Sequence, residues 1–93
     1  MPEKTSQISS KKEKLIGEIV HYFAQVEVAV IKLSSPLSID DSIRIVGGES
    51  TNFKQKVKSM EVDHKKIKKA KKGDEIGMKI KEKAREGYKV YKI

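Results

Sequence analysis

The chain has no cysteine and no tryptophan among its 93 residues. Disulfides are therefore excluded, as are zinc and iron–sulfur sites built on cysteine. Only five residues are aromatic: Tyr22, Phe23, Phe53, Tyr88 and Tyr91. Arginine is scarce too, with Arg44 and Arg85 alone. No apolar run approaches the roughly 18 residues of a membrane span. Met1–Lys14 has no apolar stretch of the kind a secretory signal needs. These absences lead to the expectation of a soluble, cytoplasmic, monomeric protein with no membrane contact.

What the chain has is lysine. Twenty-one Lys and Arg stand against thirteen Asp and Glu, a formal net charge of +8 with an isoelectric point near 9.7. A basic balance favours contact with polyanions. Base readers and stacked RNA contacts favour arginine and aromatics, however. Lysine- and glutamate-rich surfaces also occur in proteins from hot environments. A polyanion footprint and a solvated lysine surface are both open at this point. The length allows one domain with a modest core.

Residues 1–14 carry a single isolated Ile8 in a polar run and read as a flexible basic tail. Residues 15–93 read as six short strands separated by turns. Leu15–Phe23 is the first, with apolar groups on both faces, which suits a closed barrel. Val26–Leu33 is the second, rich in β-branched residues. Ala24–Gln25 joins them as a hairpin. Ile43–Ile45 is a short third strand after the loop from Leu37 to Ser42. Gly47–Gly48 supplies a hairpin turn. Phe53–Val62 is the fourth strand, with a bulge expected near Ser59–Met60, where the apolar face switches side. Asp63–Lys72 reads as a polar connection holding one helical turn through Ile67 and Ala70. Gly73–Asp74 is a tight turn before the fifth strand, Asp74–Ile80. There Ile76, Met78 and Ile80 alternate with Gly77 and Lys79. Gly77 marks a place where a neighbour can approach closely. Tyr88–Ile93 is the last strand. The expected fold class is all-β, a small six-stranded Greek-key-like barrel.

Several spaced motifs in this order resemble the second domain of translation elongation factors, the barrel of the elongation factor Tu type. They are Ile16-Gly17-Glu18-Ile19, the run from Leu37 to Ile43, Val57-Lys58-Ser59-Met60, the run from Ala70 to Met78, and Arg85–Val90. The small barrel that ends bacterial collagenase-like peptidases is a still closer match, through Val20-His21-Tyr22-Phe23 and Thr51–Met60. Family members usually carry Gly-Asp before the third strand, where this chain has Asp40-Asp41. That difference puts the turn type in question. The chain contains neither a phosphate loop nor a peptidase-like catalytic domain. The matched residues are turn and core positions, so they imply architecture rather than binding contacts.

Chemistry-bearing residues are few. His21 and His64 are the only histidines. Asp63 and His64 are sequence neighbours and would face opposite ways on a strand, so no metal site is expected. His21 reads as a wall residue of the barrel. Ser42, Thr51 and Ser59 lack a nucleophile-elbow context. Asp40–Asp41 and Asp74–Glu75 sit at strand starts and read as turn residues. No catalysis and no cofactor is expected. The best candidate site is the lysine set Lys54, Lys56, Lys58, Lys65, Lys66, Lys68, Lys69, Lys71 and Lys72. As one positive face it would touch phosphates as point charges without reading sequence. Phe23 and Phe53 are expected in the core. The tyrosines are either strand-end packing or stacking platforms. The leading expectation is a stand-alone translation-factor-like barrel binding RNA (tRNA, rRNA or the ribosome). The alternative is a protein-interaction module for a separately encoded catalytic partner.

Overall fold

The computed structural model of the chain describes residues 13–48 and 51–93. The expected tail therefore lies outside the described residues up to residue 12. Glu13 and Lys14 already belong to the fold: the Glu13 carboxylate pairs with Arg44 at 2.9 Å, and Lys14 opens the first strand.

The described residues hold ten strands and no helix, rather than the six strands expected. They are β1 (Lys14–Phe23), β2 (Val28–Leu33), β3 (Leu37–Ser38), β4 (Ser42–Gly47), β5 (Thr51–Lys56), β6 (Met60–Val62), β7 (Lys65–Ile67), β8 (Lys69–Ala70), β9 (Glu75–Lys79) and β10 (Lys89–Lys92). Eight form one antiparallel sheet in the order β5-β4-β10-β1-β2-β9-β6-β7, and β3 pairs with β8 apart from it. Hairpins join β1 to β2, β4 to β5 and β6 to β7, while β10 and β9 return from far along the chain to fill the gaps between them.

The pairing does not run around a closed barrel. β5 and β7 are edges. At the β5 edge the Gln55 amide stands in for a ladder: its Nε2 donates to the Lys79 carbonyl at 3.0 Å, and its Oε1 accepts from the Lys81 N–H at 2.9 Å. Two orphan groups at the end of β9 are thereby satisfied. The β7 edge is three residues long and carries two lysines, which discourages pairing with another chain.

Burial follows the two-residue period where the sequence alternates cleanly. Ala29, Ile31 and Leu33 of β2, Ile43 and Ile45 of β4, and Ile76 and Met78 of β9 all point inward. Each fully buried isoleucine contributes about 1.5–3 kcal/mol. A surface ion pair such as Lys89–Glu18, at 3.1 Å and half exposed, contributes at most about 1 kcal/mol. The core, not the charge, holds the sheet.

Three expected features differ in the structure, each for a local reason. β1 is bulged twice, between Leu15 and Gly17 against β10 and between Ile19 and His21 against β2. The bulges, not a two-sided burial, put apolar residues on both sides of this strand. Residues 53–62 form no single bulged strand. The chain leaves β5 at Lys56 and re-enters as β6 at Met60, with Val57 and Met60 both fully buried across the bend. The expected helical turn is absent, since Ile67 and Ala70 lie on β7 and β8, paired with Met60 and Leu37.

The Lys71–Asp74 turn is closed by the Asp74 N–H donating to the Lys71 carbonyl at 3.0 Å, and Gly73 supplies φ of +92°. The Asp74 carboxylate accepts from the Lys71 N–H at 2.9 Å. Before β4, the Asp41 N–H donates to the Ser38 carbonyl at 3.1 Å, with Asp40 at φ +77°. A positive φ at the third residue is the type II pattern, which favours glycine there. The departure from Gly-Asp thus keeps the turn and places an L-residue in a left-handed conformation. Glycine at 40 relieves roughly 1–2 kcal/mol of steric cost and forfeits about 0.5–1 kcal/mol of backbone entropy. Asp40→Gly is therefore expected to raise stability by about 0.5–1 kcal/mol, seen as a melting temperature higher by about 2–6 °C. A lower melting temperature would mean that the Asp40 carboxylate has a role its exposed position does not reveal.

Candidate functional site

All nine predicted lysines are exposed, but they do not form one face. The break after β5 and the turn into β6 gather four of them, Lys58, Lys66, Lys68 and Lys69, around a groove of about 640 Å³. Ile39, Met60 and Ile67 give that groove its apolar component. A second groove of about 410 Å³ adjoins it through Lys58 and Ser59, and is lined by Lys56, Lys79 and Lys81. Lys54, Lys65, Lys71 and Lys72 line neither groove. Lys54 lies opposite Arg44, Lys65 opposite Val62, and Lys71–Lys72 sit in the turn whose Gly73 N–H donates to Leu33.

Lys79 and Lys81 complete the basic strip and were not among the predicted residues. The alternation of β9 points Lys79 outward. Its approach to Lys56 depends on the Gln55 bridge, a contact between distant segments with no local signature. Among the described residues no lysine of the strip is ion-paired.

Its other chemistry is meagre. No aromatic ring lines either lysine groove. Phe53 is in the core as expected, and Tyr22 and Tyr88 pack against it. Phe23 departs from expectation: it is half exposed, at 49%. It lies by carboxylates rather than lysines, beside Glu61, Asp63 and Glu75 in a separate groove. Without a ring among the lysines the strip has no base-stacking platform.

The histidines are not assembled into a site either. His21 lies in the sheet, on β1 opposite Val30, with its side chain exposed: its Nδ1 is 3.3 Å from the Glu86 carboxylate and its ring is edge-on to Phe23. Among the described residues no cluster of three His, Asp or Glu groups is arranged to hold a metal. The Asp41 carboxylate accepts from the Ser38 N–H at 2.9 Å, as Asp74 does from Lys71, so both serve their turns. Among the described residues no helix is long and apolar enough to cross a membrane.

The ten strands of the described residues define a small all-β domain with a basic strip on its surface. No family model matches the chain. It is 40% identical over 84 residues to an uncharacterised protease of Methanocaldococcus jannaschii, covering 89% of this chain and 21% of the relative. It is 31% identical over 85 residues to a collagenase of Porphyromonas gingivalis, covering 90% of this chain and 24% of that protein. Its fold matches the crystal structure of the C-terminal domain of a Geobacillus thermoleovorans protein described as a U32 peptidase. That match has a TM-score of 0.81 at 16% identity and covers 86% of this chain and 92% of that domain. A selenomethionine variant of the same domain matches with a TM-score of 0.79.

The chain spans about a fifth to a quarter of the length of the curated relatives it matches. The resemblance to the terminal barrel of collagenase-like peptidases therefore holds. The translation-factor identification is corrected, and the RNA-binding expectation falls with it: the likenesses are to peptidases, and the lysine grooves lack rings for bases.

Proposed function

We propose that the chain is a non-catalytic, protein-docking module of a collagenase-type peptidase. The observation that carries this reading is the extent of the likeness. Nine-tenths of the chain aligns with about one-fifth of a protease, and the described residues bring together no His, Asp and Glu cluster that could hold a metal. The basic strip through Lys58, Lys66, Lys68 and Lys69 is the docking face, and an acidic surface of the catalytic unit is its counterpart. Complementary charge of this kind steers association and sets register.

Co-purification of the chain with the catalytic unit of a collagenase-type peptidase from the same organism tests this. The expected result is a one-to-one complex that survives nuclease, loosens as salt rises, and is lost in a Lys58→Glu, Lys68→Glu double variant. Hydrolysis of a denatured protein by the isolated chain would overturn the non-catalytic reading. A complex indifferent to the double variant would overturn the choice of face.

A further inference from the structure

The outer face of β2, β9 and β6 carries a groove of a different character from the lysine strip. Its volume is about 440 Å³, within the range of ligand-sized clefts. Val28 and Val30 face it from β2, and Phe23 and Val26 flank it from the β1–β2 hairpin. Phe23 and Val26 are 49% and 57% exposed, two of the four large hydrophobic residues that stand out from the described surface. Outward positions elsewhere on these strands carry lysine, as at Lys32 and Lys79. Apolar residues at Val28 and Val30 are thus a local exception.

The rim is the second exception. Glu61, Asp63 and Glu75 line this groove with His64 and no lysine, on a chain whose net charge is +8. Each of the two lysine grooves, by contrast, is lined by four lysines. Among the described residues none of these three carboxylates is ion-paired.

Gly77 gives the floor its shape. The ladder sets Val30 opposite Gly77 and Gly77 opposite Glu61, one row across three strands. A Cβ at Gly77 would meet nothing closer than Val28 Cγ1 at 3.5 Å, an ordinary contact. Packing therefore does not demand glycine, and the close approach expected there is not found. What the missing side chain does is leave a gap between an aliphatic wall and a carboxylate. A Lys or Arg side chain fits such a gap, with its methylene stem over Val30 and its head at Glu61 or Glu75. Val28 lies two residues from Val30, about 6.6 Å along the strand, which is also the spacing of alternate side chains in an extended peptide.

We infer that this groove binds an extended peptide segment carrying a basic residue two positions from an apolar one. The basic side chain lies over Gly77 and the apolar one lodges against Phe23, Val26 and Val28. A second copy of the chain is a poorer occupant. Two-fold pairing would set acidic rim against acidic rim. The inference reaches beyond the docking reading, because binding here is read on the chain alone.

The experiment titrates the full chain with a fluorescent octapeptide holding Leu and Arg two residues apart in a serine–glycine background. A Leu–Glu version and an Arg-only version serve as controls. Binding of the Leu–Arg peptide alone is expected, with amide shifts confined to the β1–β2 hairpin, β6 and β9. Gly77→Val, which fills the floor, and Glu61→Gln with Glu75→Gln, which discharges the exposed rim without touching the core, should each weaken it tenfold or more. Equal binding of the Leu–Glu peptide, shifts at the lysine grooves, or unchanged affinity in the glutamine double variant would overturn the inference. So would concentration-dependent self-association that Gly77→Val abolishes, since the occupant would then be a second copy.

Discussion

Alanine in place of Gly17 is expected to lower the stability of the domain by about 2–3 kcal/mol, the upper range for forcing extra volume into a packed site. A Cβ there would lie 2.8 Å from Ile31 Cγ2 and 2.8 Å from the Lys32 carbonyl oxygen. Ile31 is fully buried and has nowhere to go. The carbonyl is backbone of β2, one of the two central strands of the sheet, so relief requires moving a strand. Gly77→Ala is the matched control. Its new methyl meets only Val28, at 3.5 Å, and the effect should stay within about 0.5 kcal/mol. Urea unfolding of the two variants separates the cases: the midpoint for Gly17→Ala falls far below that of the parent, and that for Gly77→Ala stays beside it. Equal midpoints would mean that β1 and β2 can separate at Gly17 without loss.

The contrast between these glycines shows what was legible in the residues and what was not. Gly77 stands out in the sequence because it interrupts a clean alternation of Ile76, Met78 and Ile80. Gly17 sits in a strand whose alternation is broken by two bulges, and the sequence marks it only as part of the Ile16–Ile19 motif, not as a close contact. Yet the tight contact belongs to Gly17, because it depends on how β1 lies over β2, which local pattern does not encode. β2, β4 and β9 were readable for the opposite reason: each keeps a strict inward–outward period over its whole length. β7 and β8 were unreadable because lysine-rich segments of two or three residues have little strand preference of their own. They become strands only through the partners that Met60 and Leu37 provide.

The candidate site was legible in part by the same logic. Charge is visible in composition, so the lysines were found. Their division into a strip of some and a scatter of others depends on the bend at residues 57–59 and on the Gln55 bridge, both long-range. The acidic groove escaped notice for a related reason. Its carboxylates come from β6, the turn after it and β9, and they meet only because β6 pairs with β9 through Glu61 and Gly77. The translation-factor resemblance misled because its motifs are turn and core positions, which barrels of different function share.

Gly47→Ala is expected to cost a further large amount, again about 2–3 kcal/mol, but here with a predicted rescue. Lys89 pairs with Val46 across β10 and β4, so the next position sets Tyr88 against Gly47. The Tyr88 ring covers that glycine so closely that a Cβ would overlap two of its carbons. This is the aromatic-over-glycine pairing that shields a bare stretch of backbone in a sheet. The ring also packs against the core, so turning it aside opens apolar surface as well as the Gly47 backbone. Tyr88→Ala alone should destabilise through the lost ring. Because it removes the obstacle, adding Gly47→Ala to it should cost nothing more and return a few tenths of a kcal/mol through better strand preference. The double-mutant cycle is therefore strongly non-additive, with a coupling of about 2–3 kcal/mol in the favourable direction. Additive losses would place the strain elsewhere, in the turn where Gly48 holds φ of +58°, and would remove Tyr88 as the reason that residue 47 is glycine.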